Sequence, residues 1–151
     1  MTLKERLTED MKASMKAGTA ERTGVLRLVK SAIRNEEIKL GHDLTDDETL
    51  KVLAREVKQR KDSIEAYTAA HRPELAQAEA AEQAIIQEYL PQAMDETELR
   101  AVVDQVIAEL GAADVKQMGL VIGAVMKAVG ARADGGSVSR LVRERLAGGA
   151  Q

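Results

Sequence analysis

The residues whose spacing most clearly indicates a binding function are basic residues that recur on predicted helices. Arg27, Lys30 and Arg34 share one narrow sector of a helical wheel, because a helix turns about 100° per residue, and the run from Arg22 to Arg34 contains no acidic residue. The apolar positions of this helix lie on its other side. A similar stripe on the next predicted helix consists of Lys51, Arg55 and Lys58. Such cations suit nucleic-acid phosphates, and the alternative is a solvated face paired with glutamates.

A second basic group lies near the C-terminus. The segment from Lys116 to Ala147 carries six basic and two acidic residues. Lys127 and Arg132 flank the end of one predicted helix, and Arg140 and Arg143 follow on the next. We expect Lys127, Arg132 and Arg140 to converge on one phosphate patch, because they lie around the same helix–turn–helix junction, and we expect Arg143 to contribute to RNA binding as well. Folded RNA is recognised largely through its backbone and shape.

The residue types needed for catalysis or metal binding are not arranged for either. The chain has no cysteine, and none of its five serines lies in a nucleophile elbow. His42 and His71 fall in predicted loops, and the acids near His42 are better explained as charges in the first turn of a helix. Neither a Walker A motif nor a dinucleotide fingerprint is present. We therefore predict no catalytic residue, no metal and no cofactor.

Composition limits the class of protein further. Of 151 residues, 44% are hydrophobic and 31% charged, the formal net charge is −3, and Phe and Trp are absent. A chain of this charge is not a basic nucleic-acid binder as a whole, and it has almost no rings for stacking on bases. It has no apolar run of the roughly 20 residues that a bilayer span needs, and its N-terminus lacks the apolar region of a signal peptide. We expect no membrane association and a cytoplasmic protein.

Seven helices are predicted from start and stop signals, and no segment alternates as a strand would. Their predicted starts lie near Thr2, Ala20, Thr45, Pro73, Asp95, Asp114 and Ser137. Pro91 disfavours helix at the residue before it, so we predict an all-α protein with an N-terminal helical bundle over residues 1–90 and a small three-helix domain over residues 95–147. Gly119 and Gly123, four residues apart, predict close packing of the sixth helix against a neighbour.

Several segments, taken in order and spacing, match a known family. They are Val25–Ile38, Glu56–Ser63, Arg72–Ala76 with Glu79, Tyr89–Pro91, Met118–Gly119, Val125–Met126 and Arg132–Gly135. The chain resembles the YqeY family, whose stand-alone members share a domain with GatB, one of the subunits of the glutamyl/aspartyl-tRNA amidotransferase. The resemblance implies an all-helical fold and a C-terminal domain similar to the tail of GatB, which is associated with holding tRNA. The chain departs from the family at Ala131 and His71, where glycine is common.

The leading hypothesis is a non-catalytic accessory factor that binds tRNA or other structured RNA and is linked to the tRNA-dependent amidotransferase. Its RNA-binding residues would be Lys127, Arg132, Arg140 and Arg143, extended by Arg27, Lys30 and Arg34. One alternative is a component of carbon–nitrogen ligase activity with glutamine as amide donor, active only with partner subunits. Another is a protein-interaction module that uses the apolar stretch Leu120–Val129.

Overall fold

The computed structural model describes residues 1–148 and contains seven α-helices within that range. They are α1 (Leu3–Ala17), α2 (Ala20–Leu40), α3 (Asp46–Ala69), α4 (Pro73–Gln87), α5 (Glu96–Leu110), α6 (Met118–Val129) and α7 (Gly135–Gly148). Short 3-10 turns, Val115–Gln117 and Gly130–Arg132, precede and follow α6. No strand occurs in residues 1–148, so the all-α prediction is confirmed.

Local sequence signals set most helix ends. Thr2 and Thr45 each accept a hydrogen bond from the backbone N–H three residues on, and Glu5 and Glu48 return a bond to the capping residue. Three helices end at glycines in the left-handed conformation, a backbone region that other residues adopt at a steric cost. These glycines are Gly18, Gly41 and Gly111.

The start of α7 differs from the prediction that Ser137 caps it. The Asp134 carboxylate accepts the backbone N–H of Ser137 at 2.8 Å and its hydroxyl at 3.0 Å. The Asp134 carbonyl also accepts the N–H of Val138 at 3.1 Å. Asp134 is therefore the capping residue, and Ser137 already lies in the first turn.

The chain divides into two compact units, Met1–Pro91 (unit 1) and Gln92–Gln151 (unit 2). The unit 1 core is aliphatic and receives one large, fully buried side chain from each helix: Leu7, Leu26, Leu53 and Ile86. Burying an aliphatic side chain of this size stabilises the fold by about 1.5–3 kcal/mol. The α2 residues in this core hold the helix in one orientation, and its basic face points away from the core.

A polar network fixes the end of α4 within unit 1. The Tyr89 hydroxyl donates to Asp10 Oδ2 at 2.5 Å and accepts from Arg22 at 3.3 Å. Arg22 also pairs with Glu88 at 2.7 Å, and the Arg6 guanidinium lies 4.7 Å from the centroid of the Tyr89 ring. The network ties the segment after α4 to α1 and α2.

Unit 2 is built around valines. On α6 the buried positions Val121, Val125 and Val129 recur every four residues and pack with buried residues of α5 and α7. A methyl group placed on the Cα of Gly119 or Gly123 would meet no atom within 4 Å. The predicted close packing at these glycines is therefore wrong, because they lie on the face of α6 opposite the valines. Within residues 1–148, no helix combines the length and apolar character needed to cross a bilayer.

Candidate nucleic-acid interface

The α2 stripe, defined as Arg27, Lys30 and Arg34, lies on one side of its helix. Arg27 and Arg34 are exposed and Lys30 is half-buried. With a rise of 1.5 Å per residue, the stripe extends over about 10 Å along the helix. Among the described residues, none of the three has a carboxylate oxygen within 4.0 Å, and Arg27 makes one weak contact, with Met15 Sδ at 3.9 Å. The three cations of the stripe therefore form no ion pair within residues 1–148.

Glu37, an acid on which the charge of Arg34 acts, is already engaged by other groups. Glu37 Oε2 accepts the Lys4 ammonium, and it also accepts the backbone N–H of Leu44 at 2.9 Å. The hydrogen bond from Lys4 is the main reason that the pKa of Glu37 lies below its usual value, followed by the bond from Leu44, with Arg34 contributing less through charge. Glu37 is thus held toward α1 and the loop before α3, and it leaves Arg34 without an ion pair.

The basic stripe on α3 is only partly available. Arg55 donates to Glu36 of α2 at 2.9 Å, whereas Lys51 and Lys58 are exposed and have no carboxylate partner in the described part of the chain. Charge pairing between helices therefore reduces this stripe to its two lysines.

Arg132 in unit 2 holds the chain that leads into α5. Its guanidinium donates to the Gln92 carbonyl at 3.0 Å and pairs with Glu98 at 3.1 Å. Its own carbonyl accepts the N–H of Met94 at 2.9 Å. These bonds join the turn after α6 to the residues before α5, so Arg132 has a structural role that the sequence analysis missed.

Arg140 belongs to a second group of ion pairs at the start of α5. It pairs with Glu96 at 3.0 Å and with Glu144 at 3.3 Å, and Glu96 also pairs with Arg100 at 3.2 Å. The pKa of Glu96 is lowered chiefly by the hydrogen bond from Arg140, and the pKa of Arg140 is raised by the same bond. The first turn of α5 therefore brings carboxylates to both Arg132 and Arg140.

Within residues 1–148, Lys127 and Arg143 are the predicted RNA-binding residues of unit 2 that form no ion pair. Both are exposed, and neither has a carboxylate within 4.0 Å among residues 1–148. The excess of positive charge after Lys116 is balanced within unit 2, which contains seven basic and eight acidic residues. In the described part of the chain, Arg132 and Arg140 are thus paired with carboxylates, whereas Lys127 and Arg143 are not.

A cleft that the sequence analysis missed lies between α1 and α2. Its volume is about 310 Å³. The polar residues that line this α1–α2 cleft are Lys4, Thr8, Lys30, Ser31, Arg34 and Glu37. Two of them belong to the α2 stripe, and the cleft was not predictable because it depends on how α1 packs against α2. Within the described range, no group of three or more His, Cys, Asp or Glu side chains is placed to hold a metal ion.

Fold and surface together define a class: an all-helical protein of two small units whose unpaired cations lie on helix faces. The family model described as Yqey-like protein matches residues 4–146. The chain therefore belongs to the YqeY-like family, and the resemblance drawn from its sequence is confirmed.

Two curated relatives carry the same name, "Altered inheritance of mitochondria protein 41, mitochondrial". The protein from Clavispora lusitaniae is 34% identical over 126 residues, which is 82% of this chain and 71% of the relative. The protein from Lachancea thermotolerans is 35% identical over 107 residues, which is 69% of this chain and 57% of the relative.

These names contradict the expectation of a cytoplasmic protein, since both relatives are named as mitochondrial. The expectation used the lack of cysteine and of long apolar runs. Those features argue against disulfide-forming compartments and membrane spans, but they do not distinguish one reducing aqueous compartment from another.

Proposed function

We propose that this protein is a non-catalytic accessory factor that binds folded RNA, with tRNA as the first ligand to test. The observation that carries the proposal is the α2 stripe, three cations on about 10 Å of helix with no carboxylate partner among the described residues. Cations left unpaired on a helix face are available to phosphates, and contact with phosphates supplies most of the affinity of a sequence-independent RNA binder.

The scarcity of exposed rings favours folded RNA over single strands. Single-strand binders stack successive bases on aromatic side chains. This chain has two tyrosines and no Phe or Trp, and Tyr89 is buried. A surface of cations without rings is suited to the backbone of a folded RNA.

Unit 2 offers cations of its own for the same role. Lys127 and Arg143 are proposed to contact phosphate directly, because they are exposed and unpaired in the described range. Arg132 and Arg140 are proposed to contribute only by exchanging a carboxylate for a phosphate. Ion pairs between exposed groups stabilise a fold very little in water, so this exchange is feasible.

The proposed link to the tRNA-dependent amidotransferase is supported by family membership, because YqeY proteins share a domain with the GatB chain of that enzyme. In this role the protein would hold RNA while partner subunits carry out amide transfer. Affinity purification of the tagged protein from its own cells, followed by mass spectrometry, tests the link. Recovery of amidotransferase subunits supports it, and their absence from a preparation that retains bound RNA argues against it.

Binding of end-labelled total tRNA, followed by fluorescence anisotropy, tests the RNA-binding proposal. Lys30→Ala is compared with Lys39→Ala, which removes the same charge from the same helix. Lys39 lies nine residues, or about two and a half turns, further along α2 and therefore on the opposite face of the helix. We expect Lys30→Ala to weaken binding and Lys39→Ala to leave it close to wild type. Equal affinities for the two variants, or no binding by the wild type at low salt, would contradict the proposal. Circular dichroism checks that both variants remain helical.

A further inference from the structure

The polar walls of the α1–α2 cleft carry an excess of two positive charges. Lys4 and Glu37 form an ion pair across the cleft, and their charges cancel. Glu37 is also held by the backbone N–H of Leu44, so it is not free to move to another cation. Lys30 and Arg34, one turn apart on the α2 wall, have no carboxylate partner within residues 1–148. The cleft therefore suits a compact ligand with two negative charges.

The polar side chains of the cleft that donate no hydrogen bond to any described residue all lie on α2. The Thr8 hydroxyl donates to the Lys4 carbonyl at 3.1 Å, so its proton is already used. The Ser31 hydroxyl makes no hydrogen bond to any described residue and is able to donate. Lys30, Ser31 and Arg34 thus present an ammonium, a hydroxyl and a guanidinium along one side of α2. This is a set of donors for an oxyanion with several acceptor oxygens.

The base of the cleft is apolar. Leu7 is fully buried and Ile33 is 4% exposed, and both line the cleft. An apolar base keeps water from one side of a bound anion and lowers the local dielectric constant, which strengthens attraction to nearby cations. The two free cations therefore act on a ligand in the cleft more strongly than they would on a flat surface.

We propose that the α1–α2 cleft binds a phosphate monoester, held by Lys30, Ser31 and Arg34. A phosphate monoester carries a charge of about −1.5 to −2 at neutral pH and three acceptor oxygens, which matches the cleft, whereas an internal RNA phosphate carries only one charge. The volume of about 310 Å³ lies at the small end of ligand pockets, so the phosphate and its sugar are recognised with little discrimination between bases.

The monoester can come from the 5′ end of an RNA or from a free nucleotide. The first source deepens the proposed function and rests on it, because Lys30 and Arg34 would then distinguish the end of the RNA from its interior. The second source is independent of RNA binding. Both are tested with the full chain.

The first arm of the test compares two RNA hairpins of identical sequence, labelled at the 3′ end, one with a 5′-phosphate and one with a 5′-hydroxyl. Arg34 is exposed and Lys30 is half-buried, and charge pairs of this kind contribute little in water, so two of them together predict about tenfold tighter binding of the phosphorylated hairpin. The Arg34→Ala variant is expected to lose this preference, Arg34→Lys to restore part of it, and Lys39→Ala to keep it in full.

The second arm measures adenosine 5′-monophosphate and adenosine by isothermal titration calorimetry, with wild type and Arg34→Ala. If the nucleotide binds, adenosine does not, and Arg34→Ala abolishes nucleotide binding, the result supports a phosphate site in the cleft. This holds even if no RNA binds, because the absence of RNA binding would refute the proposed function and not the cleft. If both hairpins bind equally and the nucleotide does not bind, the inference is overturned while RNA binding stands. A 5′-phosphate preference or nucleotide binding that survives Arg34→Ala also overturns it.

Discussion

Replacing Tyr89 by phenylalanine removes one hydroxyl from the network that holds the end of α4. The ring, which is 5% exposed, and its contact with Arg6 are retained. The bond to Asp10 Oδ2 at 2.5 Å and the bond from Arg22 at 3.3 Å are removed. The variant therefore measures the contribution of the two hydrogen bonds of the hydroxyl separately from the contribution of the ring.

The expected loss of stability follows from the partners of this hydroxyl. A hydrogen bond to a charged group contributes about 1.5–3 kcal/mol. The Asp10 side chain is 37% exposed, so water replaces part of what it loses, and we expect Tyr89→Phe to lower the free energy of unfolding by about 1–2 kcal/mol. Urea denaturation followed by circular dichroism measures this difference.

The same hydroxyl predicts a dependence on pH. Burial, with Asp10 as the second cause, raises the pKa of Tyr89 from 10.0 to about 12. Because the folded-state pKa lies above the unfolded one, the contribution of the neutral phenol is complete below pH 10 and is lost as the pH rises toward about 12. In a Tyr67→Phe background, ultraviolet absorbance reports the ionisation of Tyr89 alone.

Tyr67→Phe is also the matched control for stability, because Tyr67 makes no hydrogen bond through its hydroxyl to any described residue. It should leave the free energy of unfolding nearly unchanged. Equal stability of Tyr89→Phe and wild type, or ionisation of Tyr89 near its ordinary value in the folded protein, would refute this account of the network.

Three further substitutions test other contacts. His71 has a φ of 58°, a backbone conformation that is strained for any residue with a Cβ atom. His71→Gly should therefore raise the free energy of unfolding by about 0.5–1 kcal/mol. A lower free energy of unfolding for the variant in urea denaturation would contradict this. The hydrogen bond with Glu48 raises the pKa of His42 above 6.5. The stability that this pair contributes is therefore complete below pH 6.5 and is lost as the pH rises through the pKa of His42 in the folded protein. NMR titration should show a lower His42 pKa in the Glu48→Gln variant than in wild type. Arg132→Ala removes the hydrogen bond to the carbonyl before α5 and should lower the free energy of unfolding by about 1 kcal/mol. Arg143→Ala should change it little. Equal melting temperatures for the two variants would argue against the structural role of Arg132.

Most helix ends were predictable from local signals. Thr45 and Glu48 form a capping box because their spacing alone brings the side chains to each other's backbone. The prediction for Ser137 is wrong because an acid three residues earlier, Asp134, also fits the capping position. A sequence pattern shows that a helix begins there, and only the geometry shows which of the two side chains caps it.

Charge pairing between helices was not predictable from a helical wheel. A wheel compares a residue only with others on its own helix. It can show Glu144 as a partner of Arg140, but not Glu96, which lies 44 residues before Arg140, and it does not show Glu98, which lies 34 residues before Arg132. The excess of positive charge after Lys116 did not predict a basic surface for a similar reason. The acidic residues of unit 2 that balance this charge lie before that segment in the sequence. The α2 stripe stayed unpaired because Glu37, the acid beside Arg34, binds Lys4 of α1.

The salt dependence of tRNA binding tests the central claim most directly, because each neutralised phosphate releases counterions. The logarithm of the binding constant is measured against the logarithm of salt concentration between about 50 and 200 mM for wild type and for a triple variant, Arg27→Ala, Lys30→Ala and Arg34→Ala. If the α2 stripe binds phosphates, the slope should become shallower by about 0.9 for each duplex phosphate that the variant no longer neutralises, and Lys39→Ala should keep the wild-type slope. Identical slopes for wild type and the triple variant, or wild-type binding that does not respond to salt, would contradict the account.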